Sequence, residues 1–407
     1  MDLQRQLECF RNDPCLPGWD DPYPVYAALR EQSAIHWCEG PRLWMIVAYK
    51  EAVEHMKDAR FSRQSHLDEL ISRFGAGHIF ERQKQDLPYM DGREHVRLRH
   101  HVAQAYRGID FHALEDYTRQ FLRNRFQEIA GQPVVDLVHE IANPLPVMVV
   151  SELMGVPAEQ QQMVCQKVGA FVRARGLIQT QSTVDEGDDS MSFYGEYFLP
   201  LIHEKRRHLS TDLLSRLISD HEENMHLTDE QLLLMISSNF YSASIYTLRL
   251  LVGTIAWTLS RHPEVYSRIR ADRSLLAPVL EEVLRWDPPA QAINPSTALE
   301  DLEIDGKVIR AGEAVSVLVG AANHDPLAFD DPDQFLIDRN HNAHLSFAPG
   351  LHQCLGLHLA RMEGRCVLNA LCDHYESLQI VEGGSRRFVG DRFRGFDQLL
   401  LQSESAC

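Results

Sequence analysis

One cysteine-bearing stretch constrains this chain more than any other. His344 to Arg365 reads HLSFAPGLHQCLGLHLARMEGR. A loop passes Phe347, Gly350 and His352 to reach Cys354, then turns at Gly356 into residues at helical spacing, Leu357, Leu359, Ala360 and Arg361. A thiolate just ahead of a helix N-terminus is stabilised by unpaired backbone N–H groups and by the positive end of the helix dipole. Glycines on either side let backbone approach something large and flat. A thiolate cradled in this way suits an axial ligand of iron, where it favours O–O cleavage. Two plainer readings compete. One is a buried structural cysteine. The other is a zinc site of His352, Cys354, Cys366 and Cys372, which the absence of any Cys-x-x-Cys pair disfavours.

The full spacing, Phe-x-x-Gly-x-His-x-Cys-x-Gly, resembles the haem-binding loop of the cytochrome P-450 family. That resemblance implies a mainly α fold with a smaller β region, a long central helix over the haem and a proximal cysteine loop. It implies heme b as cofactor, Cys354 as iron ligand, and Phe347, Gly350 and Gly356 shaping the loop around it. Upstream, Asp91 to Tyr106 reads DGREHVRLRHHVAQAY, with His95 and Arg99 four apart on one helix face. Alone, this is a solvated basic face. Beside the cysteine motif it resembles the family's His-x-x-x-Arg helix, which implies that His95 and Arg99, with His352, hold the haem propionates. Glu282 and Arg285, three apart, resemble the family's structural pair, and Ala321 to Arg339 resembles its meander.

Composition sets the bounds. Lys and Arg total 40 against 58 Asp and Glu, a net charge of −18, which argues against a nucleic-acid partner. The hydrophobic fraction of 44% and charged fraction of 24% are those of a globular protein. Eight cysteines spread over 407 residues suit a reducing cytoplasm better than a disulfide scaffold. The expectation is a cytoplasmic protein with no leader and no membrane span, since nowhere do enough uncharged apolar residues follow one another. It is read as one domain over residues 1–407, with β structure mainly at about 30–60, 294–320 and 376–402.

Along the chain, Ile35 to Trp37 and Leu43 to Val47 predict a hairpin, and Ser62 to Leu87 an irregular functional loop. Phe111 to Ala130 and the nearly all-apolar His139 to Met154 predict helices. Ala158 to Arg175 and Asp189 to His208 predict a helix pair joined by a polar, mobile Gly176 to Asp188. Leu227 to Arg261 predicts one helix of about 33 residues, or about 50 Å, ended by His262-Pro263. An Asp305-Gly306 turn joins short strands within Asn294 to Val319.

The departures from the family pattern matter most. Ala243-Ser-Ile-Tyr246-Thr247 falls on the slot where the family carries an acid and an alcohol. Thr247 keeps the alcohol, Tyr246 replaces the acid, and Ser244 replaces a glycine. A phenol near pKa 10 is no resting carboxylate. Either protons travel through water, Ser244 and Tyr246, or the chemistry has moved toward peroxide use, coupling or rearrangement. Ser296 replaces a propionate arginine, Gln334 stands where a third base should join Glu282 and Arg285, and Ala348 replaces a glycine. Phe240, Tyr241, Ala292 and Ile293 are expected in an apolar substrate pocket.

The resemblance implies a monooxygenase that puts one atom of O2 into a lipophilic small molecule, a step of secondary metabolism. Electrons would come from a ferredoxin or flavodoxin with an NAD(P)H-dependent reductase. The partner would be steered to a basic patch that includes Arg361 and Arg365. A haem-binding protein without turnover is the competing class.

Overall fold

The computed structural model describes residues 3–16, 19–75, 77–219, 226–388, 390 and 392–402. The extreme termini of the expected single unit lie outside the described residues. The architecture is mainly α with a smaller β part.

The central helical run begins at Thr228. Its Oγ1 accepts from the Gln231 N–H while its own N–H donates to Gln231 Oε1, at 3.1 and 3.0 Å. The run continues through Asp229–Leu234, Met235–Ser242 and Ala243–Arg261 and stops at His262, before Pro263. The middle portion is wound as a π-helix. Hydroxyls bond back along it: Ser237 to the Leu233 carbonyl and Ser242 to the Ser237 carbonyl, at 2.7 and 2.6 Å. Such back-bonding and π winding widen a helix, commonly at functional sites. Most of Ala243–Arg261 is buried, and it packs against Leu357–His374, Pro144–Met154 and Leu276–Trp286. The largest hydrophobic core surrounds it.

The hairpin forms as expected, Ile35–Cys38 against Leu43–Ile46, with Ile35 opposite Ile46. Leu43–Ile46 then pairs in parallel with Ala314–Val317, and Ser296–Ala298 and Phe61–Ser62 complete a five-stranded sheet. Asp305 and Gly306, both at positive φ, turn the Leu302–Ile304 and Lys307–Ile309 hairpin. Val134–Asp136, Phe396–Gln402 and Gln379–Arg387 form a three-stranded sheet.

Two loops expected from polarity are largely helical. Within 62–87, Arg63–Phe74 and His78–Gln83 are helices. Ser62 Oγ caps the first by accepting from the Ser65 N–H, and His66, Leu67 and Leu70 are its buried face. The supposed mobile linker shrinks to a few residues, because a Thr180–Thr183 capping box starts the helix Gln181–Arg207 eight residues early. The single helix expected over 158–175 is instead broken into Ala158–Gln160, Gln161–Cys165 and Val168–Ala174.

The cysteine loop carries one strained residue. Ala348 sits at φ 48°, in the left-handed region that glycine occupies without steric cost. Ala348→Gly is therefore expected to raise the thermal midpoint, by a gain of about 1 kcal/mol. A fall in the midpoint would contradict this account of the loop.

Candidate active site

The cysteine loop and the central helix face each other across one cavity of about 1540 Å3 of atom-free space, its mouth included. The Cys354 N–H donates to the Phe347 carbonyl at 2.8 Å, which folds the loop back on itself. Gly350, at φ 87°, lies so close to the Met56 carbonyl that a Cβ there would come within 2.7 Å of it. Gly356 lines the cavity, and a Cβ on it would meet only the Cys354 sulfur, at 4.0 Å. The helix Leu357–His374 starts immediately after. Cys354 is accessible from the cavity. Burial pushes its thiol up, against the pull of the Gly356 N–H and the Arg99 and Arg361 guanidinium groups. Cys366 and Cys372 are buried in the helix core, Cys366 beside the Met362 sulfur at 3.8 Å, and do not join it.

His95, Arg99 and His352 converge on the same cavity. The His95 and His352 rings are 4.4 Å apart. Arg99 Nη2 donates to the Gln353 carbonyl at 2.5 Å. His95 is buried, yet neither of its ring nitrogens has a hydrogen-bond partner among the described residues. Burial, then Arg99 and Arg63, pushes it down to about 4, and burial, then Arg63, pushes His352 down to about 2. A buried donor without an acceptor is costly. Together with an arginine and a thiol beside an open glycine, the donors suit a flat group that carries carboxylates and needs a sulfur ligand. Haem fits that description.

The central helix adds Phe240, Ala243, Ser244 and Thr247 to the lining of the same cavity. Thr247 Oγ1 donates to the Ala243 carbonyl at 2.7 Å. Tyr246 is not among the lining residues. Its ring is buried edge-on against Phe388 and Phe393, at 5.4 and 5.3 Å, one residue round the helix from Thr247. The proposed relay through Tyr246 therefore needs correction: the helical turn carries the phenol ring into an aromatic cluster. Tyr246→Phe is expected to leave the ratio of product formed to reductant consumed unchanged. A marked fall in that ratio would return the phenol to the proton path.

Other expectations are also corrected. Tyr241 faces the core, with its hydroxyl 2.8 Å from Ser151 Oγ and its ring against Phe198. Ala292 and Ile293 pack into the two smaller cores; Ala290 and Asn294 line the cavity instead. Arg361 is no free surface cation. It forks onto Glu281 at 2.7 and 2.6 Å and lies 4.6 Å from the Phe347 ring, bracing the cysteine loop.

Glu282 and Arg285 are both fully buried behind the loop and joined by two bonds of 2.9 and 2.8 Å. The third base is Arg339, whose Nε lies 3.0 and 3.1 Å from the two Glu282 oxygens. Gln334 contributes its backbone carbonyl, not its amide, to Arg285 and Arg339. Arg339 closes the meander in the sequence, and that position was the signal overlooked.

Sequence reasoning also missed a polar cluster in the roof. Asp86 is buried and accepts from Ser238 Oγ at 2.5 Å and Asn239 Nδ2 at 2.7 Å. Arg175 donates to Ser238 at 2.7 Å. Burial raises the Asp86 carboxyl, against the pull of Arg175. The polar run Ser237-Ser-Asn239 inside an otherwise apolar helix was the available clue.

A family model described as Cytochrome P450 matches residues 178–388, more than half of the chain. The chain belongs to the cytochrome P450 family. This P450 is 31% identical over 366 residues to the cytochrome P450 monooxygenase PikC of Streptomyces venezuelae, covering 88% of this chain and 85% of that one. It is 29% identical over 394 residues to the biotin biosynthesis cytochrome P450 of Bacillus subtilis, covering 94% and 96%. Its fold superimposes on the crystal structure of P450BioI with an acyl-carrier-protein ligand at a TM-score of 0.86, with 28% identity and 94% and 99% coverage. CalO2 superimposes equally well, at 26% identity, with 94% and 96% coverage. The mainly α architecture is thus the P450 fold, and the protein is a P450 monooxygenase, of a family that works with a haem-thiolate cofactor, O2 and a redox partner. No described helix is long and apolar enough to cross a membrane.

Proposed function

We propose that this P450 binds heme b through Cys354 and inserts one atom of O2 into a lipophilic small molecule of secondary metabolism. The observation that carries the reading is the single cavity that places the Cys354 sulfur, the orphaned His95 ring and Thr247 on its walls. When bound, haem supplies the oxygen-activating chemistry that a thiolate ligand favours. His95, Arg99 and His352 are assigned to its carboxylates, with Phe347 and Arg361 fixing the loop beneath. Glu282 and Arg285 brace that side from behind.

Thr247 holds its proton on Oγ1, now given to the Ala243 carbonyl and free to turn toward a water in the cavity. Ser244, on the same wall, is the next hydroxyl a water chain can use. Leu87, Val172, Phe240, Leu248 and Leu251 give the cavity an apolar lining that excludes water around the substrate. Arg175, Ser238 and Asn239 at the roof favour a substrate with a polar end. The protein is read as cytoplasmic, with a ferredoxin or flavodoxin and a separate NAD(P)H-dependent reductase as electron source.

One observation favours a second reading. Among the described residues, no Asp or Glu lines the cavity. An enzyme without a nearby acid can take its oxygen from peroxide instead of from O2 and two electrons. The test is turnover of a panel of lipophilic compounds under two regimes. One supplies NADPH, ferredoxin reductase, ferredoxin and O2; the other supplies hydrogen peroxide alone. Product in the first regime, at a rate above the second, supports the monooxygenase. Product only with peroxide supports the alternative, and no product in either supports a haem protein without turnover.

A further inference from the structure

The slot at which the family carries a propionate arginine holds Ser296, and the structure shows that this serine does not serve the cavity. Its Oγ lies 3.3 Å from Nε2 of the buried His55, and it is absent from the cavity wall. Positive charge reaches that wall from elsewhere. The segment 289–294 is knitted to the C-terminal turn: the Gln291 N–H donates to the Arg392 carbonyl at 2.8 Å, and the Arg394 N–H donates to the Pro289 carbonyl at 2.8 Å. This pairing brings the Arg392 guanidinium against Asn294 Oδ1, with both residues on the cavity wall.

Arg63, at the first turn of its helix, also lines the cavity. It makes one long bond, 3.4 Å, to the Pro88 carbonyl. Burial, then Arg392, lowers the Arg63 pKa to about 10, against the pull of Asp91. The neighbouring carboxylate, Asp91, is not on the cavity lining; one oxygen accepts from Ser62 Oγ and the Gln64 N–H at 2.6 and 3.0 Å, and the other stands 3.9 Å from His352 Nε2. Two arginines on the lining of one cavity, with no described acid on that lining, describe an anion site.

We infer that Arg63 and Arg392 hold the haem carboxylate that Ser296 leaves without a base. The charge lost from one strand is supplied by a helix N-terminus and by the turn that pairs beside Asn294. This assignment rests on the reading that haem fills the cavity, and goes beyond it by naming residues that neither the cysteine motif nor the His-x-x-x-Arg helix includes.

The test uses the haem-loaded full chain. Haem release into excess apomyoglobin is measured for the wild type, R63Q, R392Q, the double variant and R392K. R97Q, which removes an exposed arginine paired with Glu94, is the control. Loss of one charge-assisted bond predicts release about tenfold faster for each glutamine variant. The double variant should be faster still, and R392K and R97Q close to the wild type. The ferric–ferrous potential should fall in R63Q and R392Q, because a cation that favours the reduced iron has been removed.

Release and potential unchanged in both R63Q and R392Q would overturn the inference. So would native haem retention in R392Q combined with a weakened spectral response to a compound that the wild type turns over, which would make Arg392 a substrate residue. A wild type that takes up no haem would instead break the underlying reading, so the two failures are separable.

Discussion

Glu282→Ala is expected to destabilise this P450 by about 3–5 kcal/mol, the usual cost of stripping one partner from a buried ion pair. The side chain it removes accepts from Arg285 twice, from Arg339 Nε, from Asn342 Nδ2 at 3.1 Å and from the Leu336 N–H at 2.9 Å. Arg285 is fully buried and Arg339 nearly so. Both guanidinium groups would be left facing low-dielectric protein without a counter-charge. Arg285 also ties the Asn323, Pro332 and Gln334 carbonyls to this point, so the meander and the cysteine loop loosen together. A thermal melt of the haem-free variant reads the loss directly. Glu282→Gln should recover part of it, because an amide oxygen still accepts but carries no charge. A Glu282→Ala protein that melts with the wild type would show that the network is dispensable.

Cys354→Ser is expected to abolish product formation while leaving the polypeptide folded. The loop is closed by the backbone bond from residue 354 to Phe347, by Gly350 against Met56 and by Arg361 on Glu281. None of these uses the sulfur. The haem-free melting point should therefore stay near that of the wild type. The cationic wall can still take up haem, but the iron is left without a thiolate, and a hydroxyl does not replace one in favouring O–O cleavage. Retained turnover in the ferredoxin-supported assay would place the chemistry on some other residue.

The sequence carried the elements whose local and long-range signals agree. The cysteine loop was legible as a short run at fixed spacing; the His95–Arg99 helix face and the Glu282–Arg285 pair, uninformative alone, were legible only through the family resemblance that the cysteine loop carries. The long central helix was legible from its apolar length and its Thr228 start. Loops read from mixed or polar composition were wrong over 63–74, 78–83 and 181–188; Ser62 and Thr180 cap the first and last of these helices. The cap residues were visible; their weight against composition was not. Side-chain direction on the central helix was the harder problem. Tyr246 and Thr247 are neighbours in sequence yet point about 100° apart on an α-helix, so the alcohol faces the cavity and the phenol ring faces Phe388 and Phe393. Arg392 gave no signal, because its place beside Asn294 depends on pairing between segments about a hundred residues apart.

The central claim, sulfur from Cys354 on the iron of a bound haem, is tested most directly by the visible spectrum of the reduced, carbon monoxide-bound wild-type protein. The account predicts the long-wavelength Soret band of a thiolate-ligated haem carbonyl, absent from Cys354→Ser prepared alongside. A wild-type band at the shorter wavelength of an imidazole-ligated haem, or the same long-wavelength band in both proteins, would contradict it.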